Sequence, residues 1–271
     1  MTFFIGIPVV LAVVFLDMYN HLPLNLMIVA FSAFGCNEFH DMLTCAGFRL
    51  MPKGLLIALT SALPLLSYIF AILGLSLEIV PWIFVLAVIF MMGYETLTQR
   101  TFEDSLKRIA LSVLVVFYCG LLITFISRMT VLDNSVYFIA MYFLFVFMCD
   151  SAAWLFGNLF GKGNRGIVAA SPNKSIAGFA GGIAASVLCG ILAWYIFPEI
   201  FEGGVWRIIL LGFTTSVTGI TGDLIESVFK RSANCKDSGK MIPGRGGVLD
   251  SIDSLVVAAP VYYVCIHFLY S

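Results

Sequence analysis

Charge is what this sequence has least of. Asp, Glu, Lys and Arg make up 11% of its 271 residues, against roughly 25% in soluble domains. Hydrophobic residues make up 61%, and the mean hydropathy is +1.01. A water-soluble globular domain is excluded. The net charge of −1 argues against nucleic acid as a partner. Histidine is scarce too: His21, His40 and His267 share no ligand spacing, which excludes a His-based metal site. The seven cysteines form no CxxC pair and read as small buried apolar residues, not as a zinc or disulfide framework. No low-complexity segment, internal repeat or soluble domain is visible. The apolar run Phe3–Leu16 has no Lys or Arg before it and no small-x-small site after it, so it reads as a retained span.

What the chain does have is apolar runs of about 20 residues, the length that crosses a bilayer. They predict about nine spans: Phe3–Tyr19, Leu22–Met42, Leu55–Leu73, Val80–Thr98, Ile109–Ser127, Ser135–Phe156, Ile176–Phe197, Trp206–Val228 and Leu249–Tyr270. The expected fold is therefore an all-α, polytopic integral membrane protein. Residues 1–130 are expected to supply packing and lipid-facing helices, and residues 131–271 a catalytic region. Thirteen of the 15 Lys and Arg residues fall at the loops after the second, fourth, sixth and eighth spans. By the positive-inside rule those loops and the N-terminus are cytoplasmic. Within Arg100–Arg108, Glu103 and Lys107, and Asp104 and Arg108, stand at i,i+4 in the order that supports a short surface helix.

Acids inside spans are costly, so their placement is informative. Glu38, Glu95, Asp150, Asp223 and Glu226 all fall near the cytoplasmic ends of their spans, while Asp250 and Asp253 open the last one. For Glu38 and Glu95 snorkelling or capping suffices. Asp150 fits either a metal ligand or an inter-helix hydrogen bond. Asp223, Asp250 and Asp253 flank one basic, glycine-rich loop, and together they read as a divalent-cation site, with Asp150 and Glu226 as further candidates. The loop holds Lys230, Arg231, Lys236, Lys240 and Arg245, and Gly246 and Gly247 would let backbone N–H groups approach a phosphate. A second loop, Gly161–Gly166, leads to Ser171-Pro172-Asn173-Lys174-Ser175. There Lys174 can reach a phosphate or simply the interface. Gly178, Gly181 and Gly182 suit close helix packing.

At these residues the chain resembles the phosphatidate cytidylyltransferases. Ser227, Lys230, Arg231, Lys236, Asp237, Gly239, Ile242, Pro243, Gly246, Gly247, Val248, Asp250, Ile252 and Asp253 fall in register, without a gap, on that family's C-terminal motif. Asp150, Gly157, Gly161, Ser171–Ser175 and Gly181-Gly182 are similar to its upstream pattern. The resemblance covers roughly the C-terminal half. Arg245 stands where the family usually has His, and Ser251 where it usually has Arg. An arginine keeps a phosphate-binding cation but cannot release a proton near neutral pH.

The resemblance implies a membrane nucleotidyltransferase that condenses CTP with phosphatidic acid to give CDP-diacylglycerol and pyrophosphate. Mg²⁺ is the implied cofactor, held by Asp223, Asp250 and Asp253, with room for a second divalent or monovalent cation. Lys230, Arg231, Lys236, Lys240, Arg245, Lys174 and Ser171 would face phosphates, with Ser227 and Asp237 as supporting partners. The lipid bilayer is the setting, and the compact length points to a bacterial plasma membrane with the site facing the cytoplasm. A homodimer is compatible with the sequence but not specified by it. Two other readings stay open: a CTP-dependent lipid-alcohol kinase of the dolichol or phytol type, and an ion or solute transporter.

Overall fold

The computed structural model describes residues 10, 12–242, 244 and 246–270. Among them, eight helices are long and apolar enough to cross a membrane, and no strand occurs. They are α1 (Met18–Cys45), α2 (Lys53–Ile72), α3 (Ile79–Thr98), α4 (Ser105–Met129), α5 (Ser135–Phe160), α6 (Ile176–Ile196), α7 (Val205–Ser232) and α8 (Leu249–Tyr270). Each corresponds to one of the last eight expected spans. The first, Phe3–Tyr19, lies largely outside the described residues. The protein is an all-α, polytopic integral membrane protein.

The chain divides into two compact units, Met1–Leu132 with Ser232–Ile252, and Asp133–Arg231 with Asp253–Ser271. The segment that carries the basic loop thus belongs with the N-terminal helices, and the division falls inside α8.

In the first unit, prolines inside helices shape the packing. Pro64 has no N–H for the carbonyl of Thr60, four residues earlier. The Ser32 hydroxyl of α1 donates to that oxygen instead, at 3.2 Å. Tyr68 donates at 2.9 Å to the Tyr19 carbonyl, which lies at a kink where Tyr19, Asn20 and His21 have positive φ. Lipid cannot satisfy a freed carbonyl, so neighbouring helices must. Opposite Thr60, α4 breaks into a π-turn over Phe117–Leu121, and Gly120 faces the Thr60 backbone, where a Cβ would lie 3.0 Å from the oxygen. Glycines at positive φ, Gly47 (87°) and Gly74 (65°), end α1 and α2.

The expected pairs at i,i+4 in the Arg100–Arg108 loop do not form. Asp104 stands at the N-cap position of α4 and pairs with Arg49 at 3.8 Å. Arg108 pairs with Glu95 at 2.9 Å, the two side chains 11% and 2% exposed. Glu95 therefore does not snorkel: Ser105 also donates to it, at 2.6 Å. A buried carboxylate has more to gain from the guanidinium than an exposed one has.

In the second unit α5 and α6 pack closely through glycine, as the sequence suggests. A Cβ on Gly178 would sit 2.8 Å from the Ala153 carbonyl, and one on Gly182 2.8 Å from that of Cys149. Ser186 ties α6 to the Phe145 carbonyl at 2.7 Å. On α8, Tyr262 donates to Phe138 of α5 at 2.7 Å, and Tyr142 of α5 donates back to Leu255. Those contacts join α5, α6 and α8, and α5 and α8 carry Asp150 and Asp253.

Candidate functional site

In the second unit the loop before α6 is folded by its own backbone. An isolated antiparallel bridge joins Arg165 to Ser175. Gly166 donates to the Lys174 carbonyl at 3.3 Å and Ile176 to that of Asn164 at 3.1 Å. Ser175 then caps α6, its hydroxyl accepting from Gly178 N–H at 3.1 Å. That cap brings Lys174 to the mouth of the helix pair, where its ammonium makes an ion pair with Asp223 of α7. Ser171 lies in a turn, its carbonyl accepting from Lys174 N–H at 3.2 Å. Arg231 Nε, at the end of α7, donates at 3.3 Å to the Ala170 carbonyl, so α7 and this loop are stitched at two points.

Asp253 reaches the same region because α7 and α8 touch at a glycine. A Cβ on Gly222 would lie 2.5 Å from the Asp253 carbonyl. The Asp253 side chain is buried and accepts from Ser254 N–H at 2.6 Å. Asp223 and Asp150 are near enough to act on it electrostatically, as is Lys230. Glu226, fully buried, pairs with Lys230 one turn on. It is thus matched by a cation of its own helix, while Ser227 beside it is buried. Beside the Lys174–Asp223 pair opens a cavity of about 570 Å³, whose lining includes the polar Asp150, Arg165 and Asn173 and the apolar Trp154, Phe179 and Ile220.

In the first unit the glycine-rich loop is organised around Asp250. Its Oδ2 accepts from Gly247 N–H at 2.7 Å, Ser238 N–H at 2.9 Å and the Ser238 hydroxyl at 2.8 Å. Gly246 N–H donates to the Ile242 carbonyl at 3.1 Å, and the Gly246 carbonyl accepts from Ile242 N–H at 2.8 Å. The N–H groups of Gly246 and Gly247, expected to approach a phosphate, are thus directed at the protein itself here. Lys236, Asp237 and Lys240 are exposed, and all three line a cavity of about 670 Å³ that reaches Cys45 at the end of α1. Arg245 and Pro243 lie outside the described residues.

Sequence reasoning assigned Asp223, Asp250 and Asp253 to a metal site, with Asp150 and Glu226 as further candidates, and Lys230 and Lys174 to phosphates; of these, Asp250 belongs to the first unit and the others to the second. It did not single out Arg165 or Asn173, whose place in the cavity wall depends on the Arg165–Ser175 bridge. Nor did it foresee Ser238 or Glu38 at the Asp250 loop. Glu38, read as snorkelling or capping at its own helix end, is buried and accepts from Leu249 N–H at 2.9 Å. Among the described residues no three His, Cys, Asp or Glu side chains stand close enough to hold a metal ion by themselves.

Comparison with known proteins bears on this arrangement. A sequence model described as the Cytidylyltransferase family matches residues 1–269. Curated relatives include the phosphatidate cytidylyltransferase of Staphylococcus haemolyticus, 35% identical over 170 residues, 63% of each chain. That of Staphylococcus aureus is 37% identical over 171 residues, 62% of each chain. The matched stretch thus spans somewhat less than two thirds of these relatives' length. With a family match that runs almost end to end, the chain belongs to the cytidylyltransferase family.

Proposed function

We propose that this protein condenses CTP with phosphatidic acid, releasing pyrophosphate and leaving CDP-diacylglycerol in the membrane. The observation that carries the reading is the cavity of the second unit, whose lining combines the ion-paired Lys174 and Asp223 with the apolar side chains of Trp154, Phe179 and Ile220. A lipid phosphate needs both, cations for the headgroup and an apolar surface for the glycerol and chains. The names of the relatives support the same substrates.

In this reaction an oxygen of the phosphate monoester attacks the α-phosphorus of CTP. A new P–O–P bond forms, and the bond to the β-phosphate breaks as pyrophosphate leaves. The nucleophile is already anionic near neutral pH, so the chain need not supply a general base, and Arg245 in place of a histidine is no obstacle. The difficulty is bringing two anions together, which calls for charge neutralisation and in-line placement. Lys174 and Arg165 would hold the lipid phosphate. Lys230, Arg231, Lys236, Lys240 and Arg245 would serve the nucleotide phosphates, with Ser171, Ser227 and Asp237 in supporting contacts.

The donor set fits Mg²⁺. Asp150, Asp223 and Asp253 offer hard carboxylate oxygens in one unit, and Asp250 is the fourth acid of the motif. Mg²⁺ is usually held by one or two carboxylates plus substrate phosphates and water, not by an all-protein cage. When bound, the ion would supply charge neutralisation on the phosphates. A cytoplasmic-facing site in a bacterial plasma membrane completes the proposal.

The test uses purified protein in detergent with phosphatidic acid and CTP labelled at the α-phosphate, with and without Mg²⁺. Label entering the lipid with release of pyrophosphate supports the reading. Label appearing as CDP with a lipid alcohol as acceptor would replace it with a kinase. No nucleotide turnover with either acceptor would turn attention to transport.

A further inference from the structure

We infer that Glu38, on the first described transmembrane helix, is a positioning residue for the glycine-rich loop and the opening turn of α8. The inference rests on the reading that this loop meets the nucleotide phosphates. Glu38 is 8% exposed, and a carboxylate so placed must find donors. It finds one 211 positions along the chain. Leu249 N–H, an otherwise orphaned donor in the first turn of α8, lies 2.9 Å from Oε2, and the Ser238 hydroxyl lies 3.4 Å from the same oxygen.

Ser238 connects the two carboxylates. Its hydroxyl has a single proton, and the 2.8 Å distance to Asp250 against 3.4 Å to Glu38 assigns that proton to Asp250. Asp250 N–H in turn donates to the Ser238 oxygen at 3.3 Å. The loop is therefore held from α8 by Asp250, and the α8 turn that carries Asp250 is held from α1 by Glu38 through Leu249 N–H. The glycines record how tight the clamp is. A Cβ on Gly239 or Gly247 would overlap the Glu38 carboxylate, and one on Gly246 would lie 2.6 Å from Asp250 Oδ2. Here the glycines make room for carboxylates of the protein. The cations Lys236 and Lys240, on the same short segment, inherit their positions from this clamp.

Glu38 touches no reacting atom in this scheme, so its removal should loosen binding more than it slows chemistry. Glu38→Ala is expected to raise the KM for CTP by about tenfold or more, the scale of losing hydrogen bonds to a charged group, with a much smaller change in kcat. It should also speed tryptic cleavage after Lys236 or Lys240. Glu38→Gln keeps an acceptor for Leu249 N–H and should restore both readouts most of the way. Ser238→Ala, which leaves the Glu38 bond to α8 intact, should fall between. Wild-type KM and wild-type cleavage in Glu38→Ala would overturn the inference. So would equal losses in kcat and KM with no rescue by Glu38→Gln, the mark of a merely structural role. If the unaltered protein transfers no cytidylyl group, the proposed function fails. The cleavage rates of Glu38→Ala and Glu38→Gln would still show whether Glu38 holds the loop.

Discussion

Lys174 and Asp223 form a contact to which the proposed function gives a part in chemistry and physical chemistry gives little part in stability. In the second unit they form an ion pair at a cavity mouth, with side chains 21% and 35% exposed, and a pair so close to solvent contributes little to stability. Its value lies in the positions it gives the two charges. Lys174→Met should therefore lower turnover by about a hundredfold or more, the usual effect of removing one charge-stabilising group, with little change in melting temperature. The double variant Lys174→Met/Asp223→Asn should melt like the wild type and remain inactive, which a thermal scan and the labelled-CTP assay would establish together. Arg108 and Glu95 show the opposite balance. They are far more buried, and breaking such a pair costs about 3–5 kcal/mol. Arg108→Met should lower the melting temperature, and adding Glu95→Met should recover much of the loss. The sequence paired Arg108 with Asp104 because i,i+4 spacing is the only pairing that a linear pattern displays. Glu95 lies 13 residues away in another helix, and Glu38 lies 211 residues from its partner Leu249. Contacts of that kind leave no local trace, whereas the acids Asp150, Asp223 and Asp253 betrayed themselves by sitting in apolar helices at all.

Helices were the most legible elements, because hydrocarbon thickness imposes a length that composition alone can reveal. Their ends were less so. The last apolar residues of two spans suggested stops at Phe156 and Val228, yet α5 continues to Phe160 and α7 to Ser232. Hydropathy registers the hydrocarbon boundary, while the backbone hydrogen-bond ladder can run on into the interface. Those extra turns matter: they carry Gly157, whose carbonyl accepts from Arg165 at 3.2 Å, and Lys230 and Arg231. How α5 and α6 meet was also foreshadowed, by Gly178, Gly181 and Gly182, since only small residues let two helix backbones approach in lipid. Gly182→Val should cost about 1–3 kcal/mol through overpacking against Cys149. It should also impair turnover, because Asp150 follows Cys149 directly and Lys174 precedes α6 by two residues. Melting in detergent and kcat/KM should fall together. A variant that melts early but keeps full kcat/KM would separate the packing from the site.

For the whole molecule, the distribution of charge is the strongest constraint on how it sits in the bilayer. The loops between α1 and α2, α3 and α4, α5 and α6, and α7 and α8, with the helix ends that flank them, hold nearly all the Lys and Arg, leaving Arg128 and Arg207 elsewhere. The same loops hold Lys174, Lys236 and Lys240, so the orientation signal and the proposed phosphate-binding cations come from one set of residues. A positive loop satisfies insertion whether or not it binds anything. The proposed substrate adds a functional requirement: CTP is a polyanion that does not cross a bilayer, and loops that are to bind it must lie where nucleotides are made. A membrane-impermeant maleimide can decide this on intact bacterial spheroplasts expressing a cysteine-free but active variant. With a cysteine introduced by Glu202→Cys, between α6 and α7, labelling should proceed from outside. With Lys162→Cys, between α5 and α6, it should appear only after the membrane is opened. The reverse pattern would place the cavity and its lysine on the face without nucleotide, and the proposed reaction would lose its substrate.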